Sequence, residues 1–261
     1  MSDQARHWSA AARDYEREFI DPYRRDVRNP LVRVLQRIPG AKGLTAADLG
    51  CGIGPLLPLL ARRFARVYAV DFAAGMLERA RERCRQLANV EFLHRSLTDL
   101  GPLAGKVDVA VAVNSLIMPD IPTLEQALGQ VRACLRPGGR FLGIVPAIDA
   151  VHYYTMLLQD RALAQGKPPD AARKNAAYFA EHVYYDFAFG QFRYRGLEQH
   201  FWQPFEIRYR LQRAGFTDVR LRMVRLSWDQ FAHGDDLRTH PAPWDWFFSA
   251  TCEPLALPKG G

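Results

Sequence analysis

The sequence predicts an α/β fold, a mostly parallel sheet with helices on both faces, on the strength of three observations. A short apolar strand reaching Asp48 and Leu49 breaks into alternating glycines at 50, 52 and 54, and Pro55 then opens a helix. A second buried run, Val67-Tyr68-Ala69-Val70, ends in Asp71, about twenty residues beyond the glycines, the spacing of an acid in a nucleoside-binding βαβ unit. A third run, Val107 to Val113, is β-branched and apolar on both faces, as a central parallel strand requires.

The glycine loop carries the most chemistry. Without a Cβ, Gly50, Gly52 and Gly54 let the chain turn sharply and bring its backbone within hydrogen-bonding distance of a ligand. Pro55 suits the first turn of the helix that follows, where its missing N–H would have no partner anyway. A dinucleotide loop spaces its third glycine one position later and opens a helix N-terminus onto a pyrophosphate. Here Asp48 stands two residues before the loop, where it repels phosphate and attracts an ammonium group.

The stretch Asp48-Leu49-Gly50-Cys51-Gly52-Ile53-Gly54 resembles the first motif of the class I S-adenosylmethionine (SAM) dependent methyltransferases, and the small-molecule members in particular. The resemblance implies a Rossmann-like doubly wound sheet of seven strands, mostly parallel with an antiparallel last strand. It implies SAM as cofactor and S-adenosylhomocysteine (SAH) as product, held by Asp48, Gly50, Cys51, Gly52 and Gly54. Asp71 would then accept from both ribose hydroxyls, with Phe72 and Met76 beside the adenine; the alternative for Asp71 is a cap on the following helix. Cys51 reads as packing within the loop.

The later elements follow the same plan. Strand three is Val90 to Leu93, followed by His94-Arg95-Ser96-Leu97. Family members commonly carry a Gly-Asp pair here, and the Asp that binds the adenine amino group falls on Ser96; a serine can still accept from an amine, and Leu97 has its backbone N–H for the ring. Strand four ends in Asn114, a wall of the cofactor pocket by the resemblance and a turn or helix cap otherwise. The polar-Pro-Pro-aromatic run that grips a planar NH₂ in base and amide methylases is missing there. Thr123 to Leu135 has helical spacing, Arg136-Pro137-Gly138-Gly139 reads as a turn, and Arg140 to Val145 is strand five. Pro204 to Ala214 is a helix closed by Gly215, and Val219–Leu226 and Trp246–Thr251 would form the antiparallel hairpin that completes the sheet.

At 261 residues and 48% hydrophobic content the chain can bury one substantial core, so residues 1–261 are expected to be a single methyltransferase domain. The polar N-terminus and the absence of a long apolar run predict a cytoplasmic protein with no membrane partner. Four scattered cysteines, with no Cys-x-x-Cys and no adjacent histidine pair, predict neither disulfides nor a metal site. The net charge of +7 invites a nucleic-acid partner. However, 30 of the 35 basic residues are arginines dispersed among acids, such as Arg79, Arg81 and Arg83 around Glu78 and Glu82, which is the pattern of a solvated face.

Two segments lie outside the common sheet. Residues 1–38 read as a helical lid, a pair of helices broken near Asp21-Pro22; Trp8 and Tyr15 share a face, and Tyr15 either closes over the cofactor or packs on the sheet edge. Residues 147–203 exceed a simple βα connection and are rich in aromatics, including Tyr153, Tyr154 and Tyr178. They are expected to cap the acceptor site, with packing or a dimer contact as the alternative, and Tyr185–Phe189 and Phe192–Arg195 read as a small hairpin. His152, just beyond strand five, is the candidate base for removing a proton from the acceptor.

The function expected is methyl transfer by in-line displacement to the O, N or C atom of a small organic molecule. Transfer to RNA or protein, and a nicotinamide-dependent oxidoreductase, are the alternatives; a homo-oligomer and a fold that binds cofactor without catalysis stay open.

Overall fold

The computed structural model describes residues 3–12, 21–179, 185–186, 188–194 and 197–253. Its centre is a seven-stranded sheet in the order β3-β2-β1-β4-β5-β10-β9. The strands are β1 (Thr45–Leu49), β2 (Arg66–Asp71), β3 (Val90–His94), β4 (Val107–Val113), β5 (Leu135–Pro146), β9 (Phe216–Arg225) and β10 (Trp244–Cys252). Strands β1 to β5 run parallel, and β10 is antiparallel to both β5 and β9, the expected seven-stranded arrangement.

Successive residues of a strand face opposite sides, and the sequence supplies apolar side chains to both. Ala46, Val67, Val109, Val111 and Ile144 meet the helices α2 (Pro30–Gln36), α3 (Leu57–Arg63) and α4 (Ala74–Arg83) through Leu31, Leu60 and Leu77. Ala47, Val70, Ala110, Ala112 and Phe141 meet α5 (Ile121–Cys134) and α8 (Pro204–Arg213) through Leu124, Leu128 and Leu211. Helix starts are set locally: Asn29 Oδ1 accepts from the Leu31 N–H at 2.9 Å, and Asp120 Oδ1 from the Thr123 N–H at 2.9 Å, each satisfying a donor the helix leaves open.

Gly143 shows how the strands fit. It lies opposite Phe248 in the β5–β10 register, and a Cβ on it would stand 2.3 Å from the Phe248 ring and 2.8 Å from the Ala112 carbonyl oxygen. The missing side chain admits the aromatic ring. Strand five begins earlier than its apolar run predicts, at Leu135: Val107 pairs with Leu135 and Val109 with Arg140, so the intervening Arg136 to Gly139 bulges out, with Gly138 at φ +77°. Strand β9 likewise starts at Phe216, before Val219.

Helix α1 (Asp3–Ala11) packs on α4, where Ser9 Oγ accepts from the Gly75 N–H at 3.3 Å. Residues 21–29 are not helical, so the break near Asp21 and Pro22 is present, but Tyr15 lies outside the described residues. The segment after β5 forms α6 (Ile148–Ala164), α7 (Pro169–Phe179) and a three-stranded antiparallel sheet of β6 (Tyr185–Asp186), β7 (Gln191–Tyr194) and β8 (Leu197–His200). The expected hairpin is there with β8 as a third strand. The chain is then clamped to the sheet: the His200 N–H donates to the Ile117 carbonyl (3.0 Å), Trp202 Nε1 to the Leu116 carbonyl (2.7 Å) and the Trp202 N–H to the Pro146 carbonyl (2.8 Å). No helix among the described residues is long and apolar enough to cross a membrane.

Candidate functional site

The site forms where β1, β2 and β4 end, at the carboxyl edge on which open α/β sheets bind ligands. The N–H groups of Gly50 and Cys51 both donate to the Val70 carbonyl, at 2.8 and 2.9 Å, which folds the glycine loop back over β2. Gly50 has φ +78°, and a Cβ there would lie 2.3 Å from the Ser115 Cβ. Ser115 Oγ in turn donates to the Leu49 carbonyl at 2.6 Å. Only glycine allows the loops after β1 and β4 to approach this closely while leaving a cradle above them.

Two adjoining cavities share Gly50, Gly52, Val113 and Asn114. The first is walled by Asp71, Phe72 and Met76 from the second strand and its helix, and by Ser96 and Leu97 after the third. Trp8, Arg95, Ser115, Ile117, Met118 and Thr123 complete it. The second holds Asp48, Cys51 and Ile53 on one side and Asp21 and Tyr23 on the other, with Arg83 at its rim. Ten of the sequence-predicted residues thus meet around one loop. Gly54 lines neither cavity: at φ +78°, its missing Cβ makes room for Leu57 and Ala80 between α3 and α4, which is a packing role. His152 is exposed on α6 and lines neither cavity.

The charges are arranged for a cation. Asp48 is 3% exposed, and burial, with the charge of Asp71 nearby, pushes its carboxyl up to about 7. Asp71 is also raised by burial, against the opposing pull of backbone N–H donors. Its Oδ2 accepts from the Gly52 N–H at 2.8 Å and its Oδ1 from the Ala73 N–H at 2.9 Å, so the helix-entry cap and the cavity-facing acid are one residue. Each oxygen keeps a further lone pair for a hydroxyl. Burial, then Asp48 and Asp71, raises the Cys51 thiol well above its usual value, which makes it an inert packing group. Ser96 Oγ is engaged locally with Thr98, through its hydroxyl at 2.9 Å and its N–H at 3.2 Å.

Asp245 was not singled out by the sequence. It is 6% exposed at the start of β10, level with Pro146 at the end of β5, and burial pushes it up to about 7, opposed by the side chain of Asn114. Asn114 adopts φ +50°, a left-handed turn that asparagine tolerates, and its amide oxygen is buried without a protein partner. Among the described residues no cluster of histidine, cysteine or acid groups could hold a metal.

Fold and site define a class, an open α/β domain with a cradle at its carboxyl edge lined by two buried carboxylates. Comparison with known proteins narrows it. Residues 46–139 match the family model described as a methyltransferase domain. Over 124 residues the chain is 36% identical to a trans-aconitate 2-methyltransferase of Azoarcus sp. (strain BH72), covering 47% of this chain and 45% of that protein. The chain spans about half the length, or less, of the curated relatives it matches. Among solved structures, a Haloferax volcanii protein in complex with the Trm112 methyltransferase activator aligns with a TM-score of 0.64 at 17% identity over 98% of both chains. The Burkholderia thailandensis 1,6-didemethyltoxoflavin-N1-methyltransferase aligns at 0.62 and 16% over 96% of this chain and 88% of its own. The glycine loop lies inside the segment that matches a methyltransferase domain, and the sheet around it has the fold of the solved methyltransferases with which it aligns.

Proposed function

We propose that this protein transfers a methyl group from SAM to a small organic acceptor in the cytoplasm. The observation that carries the cofactor assignment is the pair Asp48 and Asp71, both buried and both beside the glycine loop. A phosphate-bearing dinucleotide would meet two carboxylates there; a nucleoside with an ammonium and a sulfonium finds matching charge. The cradle over Gly50 fits the same ligand. In this proposal Asp71 takes the ribose hydroxyls, Phe72, Met76, Ser96 and Leu97 surround the base, and Asp48, Gly50, Cys51, Gly52 and Asn114 surround the amino-acid end. Tyr15 remains the proposed lid residue.

Bound SAM would supply the activated methyl group, which an acceptor lone pair would take as sulfur leaves with the bond electrons as SAH. The chain holds the two reactants in line and excludes water. We propose residues 147–203 as the acceptor-side cap, because β8 and Trp202 are bonded to the loop after β4 that walls the cavity. His152 lies outside both cavities, so no base is assigned, and an acceptor already ionised at neutral pH needs none.

Small molecules are also the acceptors named for the Azoarcus and Burkholderia proteins. Many surface arginines are paired with acids, among them Arg66 with Glu91, Arg95 with Asp99 and Arg161 with Asp236, which favours a solvated face over a nucleic-acid track. The test is methyl-labelled SAM offered with small-metabolite pools and, separately, with RNA and protein. Label in a small product supports the proposal, and label only in a macromolecule overturns it.

A further inference from the structure

The connection between β9 and β10 runs from Leu226 to Pro243, far more than a hairpin turn needs, and it lines neither cavity. It is folded tightly on itself. The Leu226 N–H donates to the Pro243 carbonyl and Trp228 Nε1 to the His240 carbonyl, each at 2.9 Å, and a Cβ on Gly234 would stand 1.9 Å from the Trp228 carbonyl oxygen. One side grips the segment after β5. Trp228 and Leu237 form an apolar cluster with Tyr154, Leu157 and Leu158 of α6 and Ala176 of α7. Around it Tyr154 Oη donates to the Ala232 carbonyl (2.6 Å), Tyr153 Oη to the Pro241 carbonyl (3.0 Å), and Arg161 pairs with Asp236 (2.6 Å). The other side grips the chain before α2: the Asp21 N–H donates to Gln230 Oε1 at 2.6 Å, and Arg24 pairs with Asp229 at 3.3 Å. Asp21 Oδ1 in turn accepts from the Tyr23 N–H at 2.7 Å, and Asp21, Pro22 and Tyr23 wall the second cavity with Asp48.

We propose that residues 226–243 are a strap joining the acceptor-side cap to the cofactor cavity, with Gln230 as the positioning residue that holds Asp21 to Tyr23 against the amino-acid end of the cofactor. This rests on the methyl-donor and cap assignments above. Residues 21–29 belong to no helix or strand, so the wall they form lacks a backbone ladder and keeps its place through contacts such as Gln230. The strap is a packed body, so its grip on α6 sets where Gln230 stands. A contact at its far end, Arg161 with Asp236, therefore tunes the cavity without touching it.

The test is calorimetric titration of SAH and of 5′-methylthioadenosine, which shares the nucleoside and thioether but lacks the amino-acid end. Gln230→Met keeps the side-chain length and removes the acceptor, so SAH affinity should fall about fivefold, the size of one hydrogen bond, while 5′-methylthioadenosine changes less than about twofold. Arg161→Met, on α6, should weaken SAH about threefold with the same selectivity, and in a Gln230→Met background that further loss should disappear. Equal weakening of both ligands by Gln230→Met, or unchanged SAH affinity, overturns the positioning role. An Arg161→Met protein that binds SAH like wild type, or whose full loss adds to that of Gln230→Met, overturns the strap. Should Gln230→Met melt below the assay temperature, Arg161→Met alone must show the selective loss, and its absence overturns the proposal equally. Wild type that binds neither ligand overturns the methyl-donor assignment, and this inference with it; SAH bound equally by wild type and both variants overturns this inference alone.

Discussion

Replacing Asp48 with asparagine should stabilise the ligand-free protein and cripple its binding of SAH. The carboxyl is raised from 3.8 to about 7, chiefly by burial. Below pH 3.8 both folded and unfolded chains are protonated and the site is neutral to stability. As pH rises from there the unfolded chain ionises first, so folding loses stability until, above pH 7, the whole penalty is in force. About three pH units at roughly 1.4 kcal/mol each give a ceiling of about 4 kcal/mol. An amide in the same buried place is still poorly satisfied, so about 2 kcal/mol of that should be recovered. For a chain of this size that is a rise in Tm of about 4–8 °C at pH 8, with a smaller rise at pH 5. Thermal melts of wild type and Asp48→Asn at the two pH values, beside SAH titrations of both, measure it. SAH affinity should drop about tenfold or more through loss of the ammonium partner. An Asp48→Asn protein no more stable than wild type at pH 8, or one that binds SAH as tightly, would refute the assignment of Asp48 as a strained acid held for a cation.

Other outcomes follow from the same geometry. Because the ammonium favours ionised Asp48, SAH binding at pH 6 should release about one proton, read as a binding enthalpy that changes with the ionisation enthalpy of the buffer; Asp48→Asn should abolish that dependence. Gly50→Ala forces a Cβ to 2.3 Å from the Ser115 Cβ at φ +78°, so SAH binding should vanish and Tm fall. Gly143→Ala, at a position that lines neither cavity, places a Cβ 2.3 Å from the Phe248 ring and should cost about 2–3 kcal/mol or more in denaturant melts.

The sheet was legible wherever burial on both faces leaves a continuous apolar run, as in Val107 to Val113, and wherever glycines and acids sit at fixed spacing, as in Gly50 to Asp71. The bulge at Arg136 to Gly139 was not, because Pro-Gly-Gly has the chemistry of a turn whether or not the flanking residues pair. Strand β8 escaped because Leu197-Glu198-Gln199-His200 has no strand-like alternation; its pairing with β7 supplies what its composition does not. His152 was misplaced by helix phase. Helix α6 starts at Ile148, and His152 lies two residues past buried Ala150, about 200° round the helix, opposite the face that Tyr154, Leu157 and Leu158 bury. Ser115 and Ile117, from the loop after β4, and Thr123, from the first turn of α5, reach the cavity through geometry that no motif encodes. Asp245 stands among the aromatics of β10, and only the packed sheet shows that it is buried.

Calorimetric titration of SAH into the purified protein, beside Asp71→Ala, tests the central claim most directly. The account predicts micromolar binding, about −8 kcal/mol, that weakens about a hundredfold when the carboxylate facing the ribose and the Gly52 N–H is removed. A folded wild-type protein that binds no SAH, or a variant that binds it equally well, would contradict it.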